Sequence, residues 1–376
     1  MTNSLTNVIP QLLAQGLLAL RENSIMPRLV NSDYDTLGSE KGSAITIPIP
    51  SAVTVQDVSP AATPATNTQV SPTKATITLD NWKEAAFTLS DKEHMEVMSG
   101  TLPMQASEAI KSLANQVDQD ILATYKGIYG MSGTPGTTPF GSSTKDATDQ
   151  RVILNNQLAP LDNRRMVLNA DAEGNALGLR AFQDMSFSGG NEGIIEGLIK
   201  RKIGFNWFMD QNVPSHTVGT NDGAYVINYA THAIGDSSVP IGTGTGTIVV
   251  GDIFTVAGDT QTYTCTALLS AAGTLSYSPT AKVAWADTAA LTVKGTASTA
   301  YPQNLAFHRD AIAFVNRPLI DNTDGLGNLI VAGYDEISGL TIRLEVSREH
   351  KRTRYSWDIL YGTQLVRADL ASRLYG

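Results

Sequence analysis

The residues able to do chemistry are few and stand far apart. Five histidines occur, His94, His216, His232, His308 and His350. No two of them sit at metal-ligand spacing within a helix, and no His-Glu-x-x-His run exists. The single cysteine, Cys265, excludes an internal disulfide and a thiolate zinc cluster, and its Thr-rich surroundings hold no histidine to activate it. The stretch Ser132–Thr138, SGTPGTT, is glycine-rich but lacks the Gly-Lys-Ser/Thr ending that cradles phosphate. Gly242, Gly244 and Gly246 alternate with threonine in a strand context, unlike a dinucleotide fingerprint, and no Gly-x-Ser-x-Gly elbow is present. Asp321, Asn322, Thr323 and Asp324 ahead of GLGN have the composition of a calcium loop. They lack the Gly and Glu that such a loop needs at its sixth and twelfth positions, and read better as a polar hairpin turn. On these residues no catalytic, cofactor-binding or metal site is assigned, no cofactor is expected, and an enzyme is not expected.

One basic concentration remains, Arg343, Arg348, His350, Lys351, Arg352 and Arg354. Alternation along a strand would put arginines on one face, as a nucleic-acid contact would require. The chain carries a net charge of −9, however, and phosphate neutralisation needs a basic excess. Pairing with acidic residues of the same or a neighbouring subunit is the better reading.

Those residues need elements to hold them. Ile9, Leu13, Leu17 and Leu20 predict an amphipathic helix over 10–23, ended by Pro27. This apolar run is too short to span a bilayer and has no basic residue before it, so a cytosolic chain with nothing cleaved is expected. From Lys41 the chain reads as a long two-stranded excursion. AITIPIP alternates with prolines suited to an edge strand, and ATITLDNWKEAAFTLS alternates without them. Between these, 51–71 holds one charge, Asp57, and two prolines. Ser90 and Glu93 stand in capping-box register. Residues 104–128 carry the strongest helical stripe: Ala106, Ile110, Leu113, Val117, Ile121 and Tyr125. A shorter helix (147–157), a strand RRMVLNA and the strand AYVINYA follow. Composition changes near Gly235, with 13 threonines between Thr243 and Thr296. Short strands punctuated by glycine there predict a small β-barrel or sandwich inserted over 236–298. NLAFHRDAIAFVNRPLI reads as a strand and a short helix. GLTIRLEVS and RTRYSWDILYG form a hairpin, and TQLVRADLASRLYG an extended or short helical tail. Hydrophobic residues make up 42% and charged residues 17% of 376 residues. That supplies a core for more than one unit, with a charge-poor surface suited to being covered.

In this order, RLVNSDYD then KGSAITIPIP, VPSHTVGT, IVVGDIFTVAG, NLAFHRDAIAFVNRPL and RYSWDILYGTQLVRADLA resemble the major capsid proteins of tailed bacteriophages. Within that group they look most like the P-twenty-two-type coat proteins, although the insertion is shorter. The resemblance implies an α+β chain of the HK97-type capsid fold with a small inserted all-β domain. Its parts would be an N-terminal arm (1–32) and an extended loop (33–90), with a peripheral domain (91–154 and 336–376) built on the long spine helix and the β-hairpin. An axial domain (155–235 and 299–335) and the inserted domain (236–298) would complete it. It implies a structural subunit that forms hexamers and pentamers in an icosahedral shell. Partners would be a scaffolding protein and a portal, with packaged DNA contacted non-specifically at most and no membrane. Assembly would occur in the host cytoplasm and end in the virion. Some capsids of this fold crosslink a loop lysine. Lys74 and Lys83 lie in the loop with no partner indicated, and noncovalent assembly is expected. The competing reading is a surface-binding, adhesin-like β-rich module that recognises a glycan or receptor.

Overall fold

A computed structural model of the chain describes residues 25–34, 44–50, 53, 55, 60, 72–92, 101–184, 195–229, 232–317, 319, 328–335 and 340–376. The expected N-terminal helix, most of the excursion's tip and the Asp321–Asp324 loop lie outside them. The architecture is mixed α/β and rich in strands.

β1 (Ala44–Ile49) and β2 (Thr73–Thr78) form an antiparallel ribbon, in register from Ala44↔Thr78 to Ile49↔Thr73. Alternation sets its faces. Ile45, Ile47 and Ile77 turn inward with Leu79 onto Ala313 and Val315, a small core of their own. Ala44, Thr46 and Pro48 point outward, as do Lys74, Thr76 and Thr78. The sequence reads as one strand from Ala75 to Ser90. Leu79 and Asp80 instead break it, and β3 (Asn81–Ser90) joins a different sheet. Ser90 is the last residue of β3 and directly precedes helical Asp91 and Lys92, while Glu93 lies outside the described residues.

The helix α1 (Thr101–Leu122) continues as a 3-10 turn, Ala123–Gly127. Ala106, Ile110, Leu113, Ala114, Val117 and Ile121 are all buried at helical spacing. They pack with Met26, Leu29 and Val30 on one side and a five-stranded sheet on the other. That sheet centres on the strand Arg352–Leu365. It pairs with Leu340–Glu349 and Ile312–Arg317 along one edge and with β3 along the other, and Leu329–Asp335 extends the sheet beyond Leu340–Glu349. Trp357 is fully buried, and Phe87 stacks on Tyr355 and Trp357 with ring centroids 5.4 and 5.6 Å apart.

A second, six-stranded sheet joins Gly130–Ser132, Ala371–Tyr375, Ala300–His308, Arg164–Leu168 and Asn206–Met209 in that order, with Ser215–Thr217 also on Ala300–His308. Two expectations differ here. Residues 312–317 are a strand rather than a helix, and with 329–335 they pair inside the five-stranded sheet rather than with the axial part. The tail does not stay with the hairpin before it. Ala371–Tyr375 is buried along its whole length between strands from distant parts of the chain.

The Thr-rich region is a closed six-stranded barrel: Ile253–Val256, Tyr263–Cys265, Gly273–Ser278, Ser238–Thr243, Tyr225–Ile227 and Ala290–Val293, which pairs back with the first. Phe254, Tyr263, Tyr277, Trp285 and Leu291 fill it. Tyr225–Ile227 supplies a stave from before the composition change, because closure needs a strand between Ser238–Thr243 and Ala290–Val293.

Candidate functional site

The dispersed chemical residues remain dispersed. His94 lies outside the described residues, and His350 is exposed in a turn. His308 caps the turn Arg309–Ala311, its Nδ1 accepting the Asp310 N–H at 3.2 Å. His232 is buried in the barrel, stacked on Trp285 with centroids 4.2 Å apart. Its Nδ1 accepts the Trp285 backbone N–H at 3.2 Å, which leaves Nε2 to donate to the Tyr277 hydroxyl at 2.8 Å. Cys265 is buried, and burial pushes its thiol up to about 11, far from a reactive thiolate. Among the described residues no group of three or more His, Cys, Asp and Glu side chains could hold a metal ion. No helix among them is long and apolar enough to cross a membrane.

The basic cluster resolves into pairs within the chain. Arg343 forks onto Asp358, with Nε donating to Oδ1 at 2.9 Å. Arg348 grips Asp91, Arg352 pairs with Glu349, and Arg354 with Glu84. Alternation puts the Arg343, Arg352 and Arg354 pairs on the outer face of the five-stranded sheet, with Arg348 on the opposite row at its end, and Asp358 is almost wholly buried beneath its partners. Trp82 shares that face: its indole N–H donates to Asp358 Oδ2 at 3.1 Å, yet the residue is 62% exposed. Tyr334, on the neighbouring edge strand, is 58% exposed. An exposed Trp and Tyr over a fixed charge lattice have the composition of a contact surface rather than a pocket.

The ribbon is the second such surface. Neither β1 nor β2 has a further strand beside it among the described residues. Above it Val53 and Val55 are 64% and 96% exposed. Two-stranded ribbons are marginal by themselves, and open edges invite pairing with another chain. Lys74 is exposed on the outward row. Lys83 pairs across from Ile359 in β3.

Sequence reasoning missed the polar knot at the barrel's root. Arg373 is completely buried. Its guanidinium donates to Ile128 O and Gly251 O, each at 2.7 Å, and to Thr264 Oγ1 at 3.0 Å, and it lies 5.5 Å from the centre of the Tyr125 ring. Tyr125 OH meets His216 Nδ1 at 3.0 Å. His216 Nε2 meets Asp252 Oδ1 at 2.8 Å, and Asp252 Oδ2 accepts the N–H of Val249 and Gly219. Burial raises Tyr125 to about 12, so its hydroxyl stays protonated. The set resembles a catalytic relay in composition, but it is sealed from solvent and joins four elements, so its chemistry is to lock the barrel onto the body. The one local sign is an arginine inside the apolar run ASRLYG.

No family model matches the chain, and no curated protein matches it. Among solved structures it is similar to one of Mycobacterium phage Che8, at 16% identity over 93% of this chain and 90% of that chain, with a TM-score of 0.53. It also aligns with the capsid structure of the cyanophage P-SCSP1u, at 13% identity over 94% and 88% of the two chains and a TM-score of 0.48. A third match is the mature capsid of bacteriophage PhiM1, at 10% identity over 89% and 82% and a TM-score of 0.49. The Che8 likeness is one of fold, spread along nearly the whole of both chains.

Proposed function

We propose that the chain is a major capsid protein: a structural, non-catalytic subunit that assembles in many copies into the icosahedral head of a tailed bacteriophage around its double-stranded DNA. The observation that carries this reading is the β1–β2 ribbon. It is rooted in the chain by Ile45, Ile47 and Ile77, but it presents open edges and exposed valines that its own chain leaves uncovered among the described residues. A fold shared with a bacteriophage protein supports the same reading. So does a surface with few charges, since charged residues are 17% of the chain.

In this reading the fold is of the HK97 type. The ribbon is the extended loop, and α1 with the five-stranded sheet is the peripheral domain. The six-stranded sheet forms the axial domain of hexamers and pentamers. The barrel is an insertion of the P-twenty-two type. Assembly proceeds with a scaffolding protein and portal through a procapsid that expands on maturation, in the host cytoplasm. The acidic net charge of −9 keeps the wall from gripping DNA. The test is sedimentation and electron microscopy of the purified chain, alone and with its scaffold. Shells or curved sheets are expected. A stable monomer that never assembles under either condition overturns the proposal.

A further inference from the structure

The five-stranded sheet has two unlike edges. β3, at one of them, carries Lys83 and Glu84. The ribbon's edges carry Pro48 and Lys74. Charge and proline are the usual means of keeping an open edge from pairing. The strand Leu329–Asp335, at the far side of the sheet from β3, has neither device over most of its length. LIVAGY, 329–334, contains no charged residue and no proline. Among the described residues it pairs with Leu340–Glu349 alone, so about half of its N–H and C=O groups point away from the sheet. No residue from Leu329 to Tyr334 is buried, and Leu329 is 40% and Tyr334 58% exposed. Ile330, Ala332 and Tyr334 stand beside Glu345, Arg343 and Thr341 in the outer row, and Leu329 and Val331 beside Val346 and Leu344 in the inner one. An uncharged apolar run with both rows partly uncovered and its ladder groups turned outward is built to take another strand.

We propose that this edge pairs with the same edge of a second copy of the chain, antiparallel, so that one sheet runs through both copies across a two-fold axis. Charge selects the occupant. Two LIVAGY edges meet without repulsion, whereas β3 would bring Lys83 and Glu84, and the ribbon Pro48 or Lys74, against an apolar strand. The uncharged edge Asn206–Met209 spans only four residues, too few to match the seven of Leu329–Asp335. Symmetry fixes the register. A two-fold axis along the sheet normal returns each row to its own face, so the pairing centres on a residue and not between two. Centring on Ala332 pairs the whole strand. Ile330 of one copy then lies opposite Tyr334 of the other, twice over, an aromatic against a β-branched side chain on the outer face. Two copies suffice for this contact, so it is independent of shell formation.

The test uses the full chain. Ala332 meets itself across the axis, with Cα atoms about 4.5–5.5 Å apart, within disulfide reach. Ala332→Cys should therefore give a covalent dimer with diamide as oxidant, read on a non-reducing gel, since the one native cysteine, Cys265, is buried. Tyr334→Cys is the control. The register sets its two copies four residues of strand apart, about 13 Å, and it should stay unlinked despite its greater exposure. In sedimentation equilibrium Ile330→Lys should weaken the dimer about tenfold by removing both aromatic pairs. Adding Tyr334→Glu should recover most of that, because each lysine then faces a glutamate across the axis. Hydrogen exchange of the wild type over 329–335 should speed up on dilution. Protection unchanged by dilution would mean that the chain's own residues cover the edge, and overturns the proposal. So does Ala332→Cys that stays unlinked, or Tyr334→Cys that links as readily. A covalent dimer of Ala332→Cys from a chain that never forms shells would uphold the edge pairing and overturn the shell reading alone.

Discussion

Arg373 shows what a single side chain can be asked to hold. Its three oxygen acceptors come from the end of the 3-10 turn, the barrel's entry and a barrel strand. Arg373→Met should strand them without donors and cost about 3 kcal/mol in chemical denaturation. Arg373→Lys keeps the charge but not the fork, and should recover only part of that. His232 makes a second residue-level prediction. Burial holds its pKa below 6.5, so the folded barrel resists a proton that the unfolded chain accepts. Stability is full above pH 6.5 and is lost as pH falls below it. Thermal melts at pH 7.5 and 5.5 should show this drop in the wild type and a smaller one in His232→Gln. Neither role was legible in the sequence. Arg373 bonds mainly to backbone carbonyls, which leave no side-chain signature, and the partners of His232 are 45 and 53 residues away. The arginine pairs were legible in part. An acidic chain implied carboxylate partners, but Asp91 and Glu84 become neighbours only once β3 pairs with Arg352–Leu365.

Among the elements, the hairpin Leu340–Glu349 and Arg352–Leu365 could be read directly, because polar and apolar residues alternate in the sequence of both strands, and in the first the burial alternates with them. Ala371–Tyr375 could not. Every residue in it is buried, so its sequence carries no alternation to distinguish a strand from a tail. The break at Leu79-Asp80 was hidden because Ala75, Ile77 and Leu79 before it and Ala85, Phe87 and Leu89 after it keep one alternating phase. Its cause is a close approach. A methyl group on Gly362 would stand 2.3 Å from the carbonyl oxygen of Thr78, where the ribbon's root crosses the central strand. Gly362→Ala should therefore lift the ribbon, at about 1–3 kcal/mol. Hydrogen exchange should speed up over 73–78 while α1 stays protected. Unchanged exchange there would mean that the root is not set by this contact.

At the scale of the whole molecule, the composition marked the barrel but not its limits, since Tyr225–Ile227 resembles the body in composition and joins the barrel only by pairing. The ribbon permits a test of its purpose. Burying Ile45, Ile47, Ile77 and Leu79 contributes about 1.5–3 kcal/mol each, so the root should survive without its tip. Replacing 51–71 with a short turn should leave the melting temperature of the unassembled chain within a few degrees of wild type, and should abolish regular shells in electron micrographs. Normal shells from that variant would remove the ribbon's tip from any part in assembly.

The ribbon runs into β3 with only Leu79 and Asp80 between, and β3 pairs with the central strand over ten residues, Asn81 to Ser90. In mechanical terms this is a tether clamped in shear. A pull along the ribbon loads the whole ladder of transverse hydrogen bonds together, whereas a pull across it would peel them one at a time. Tension arriving from a neighbour would thus reach the middle of the five-stranded sheet before the ribbon tore free. A shell made of such units would carry internal pressure as a net of linked straps rather than a pavement of tiles.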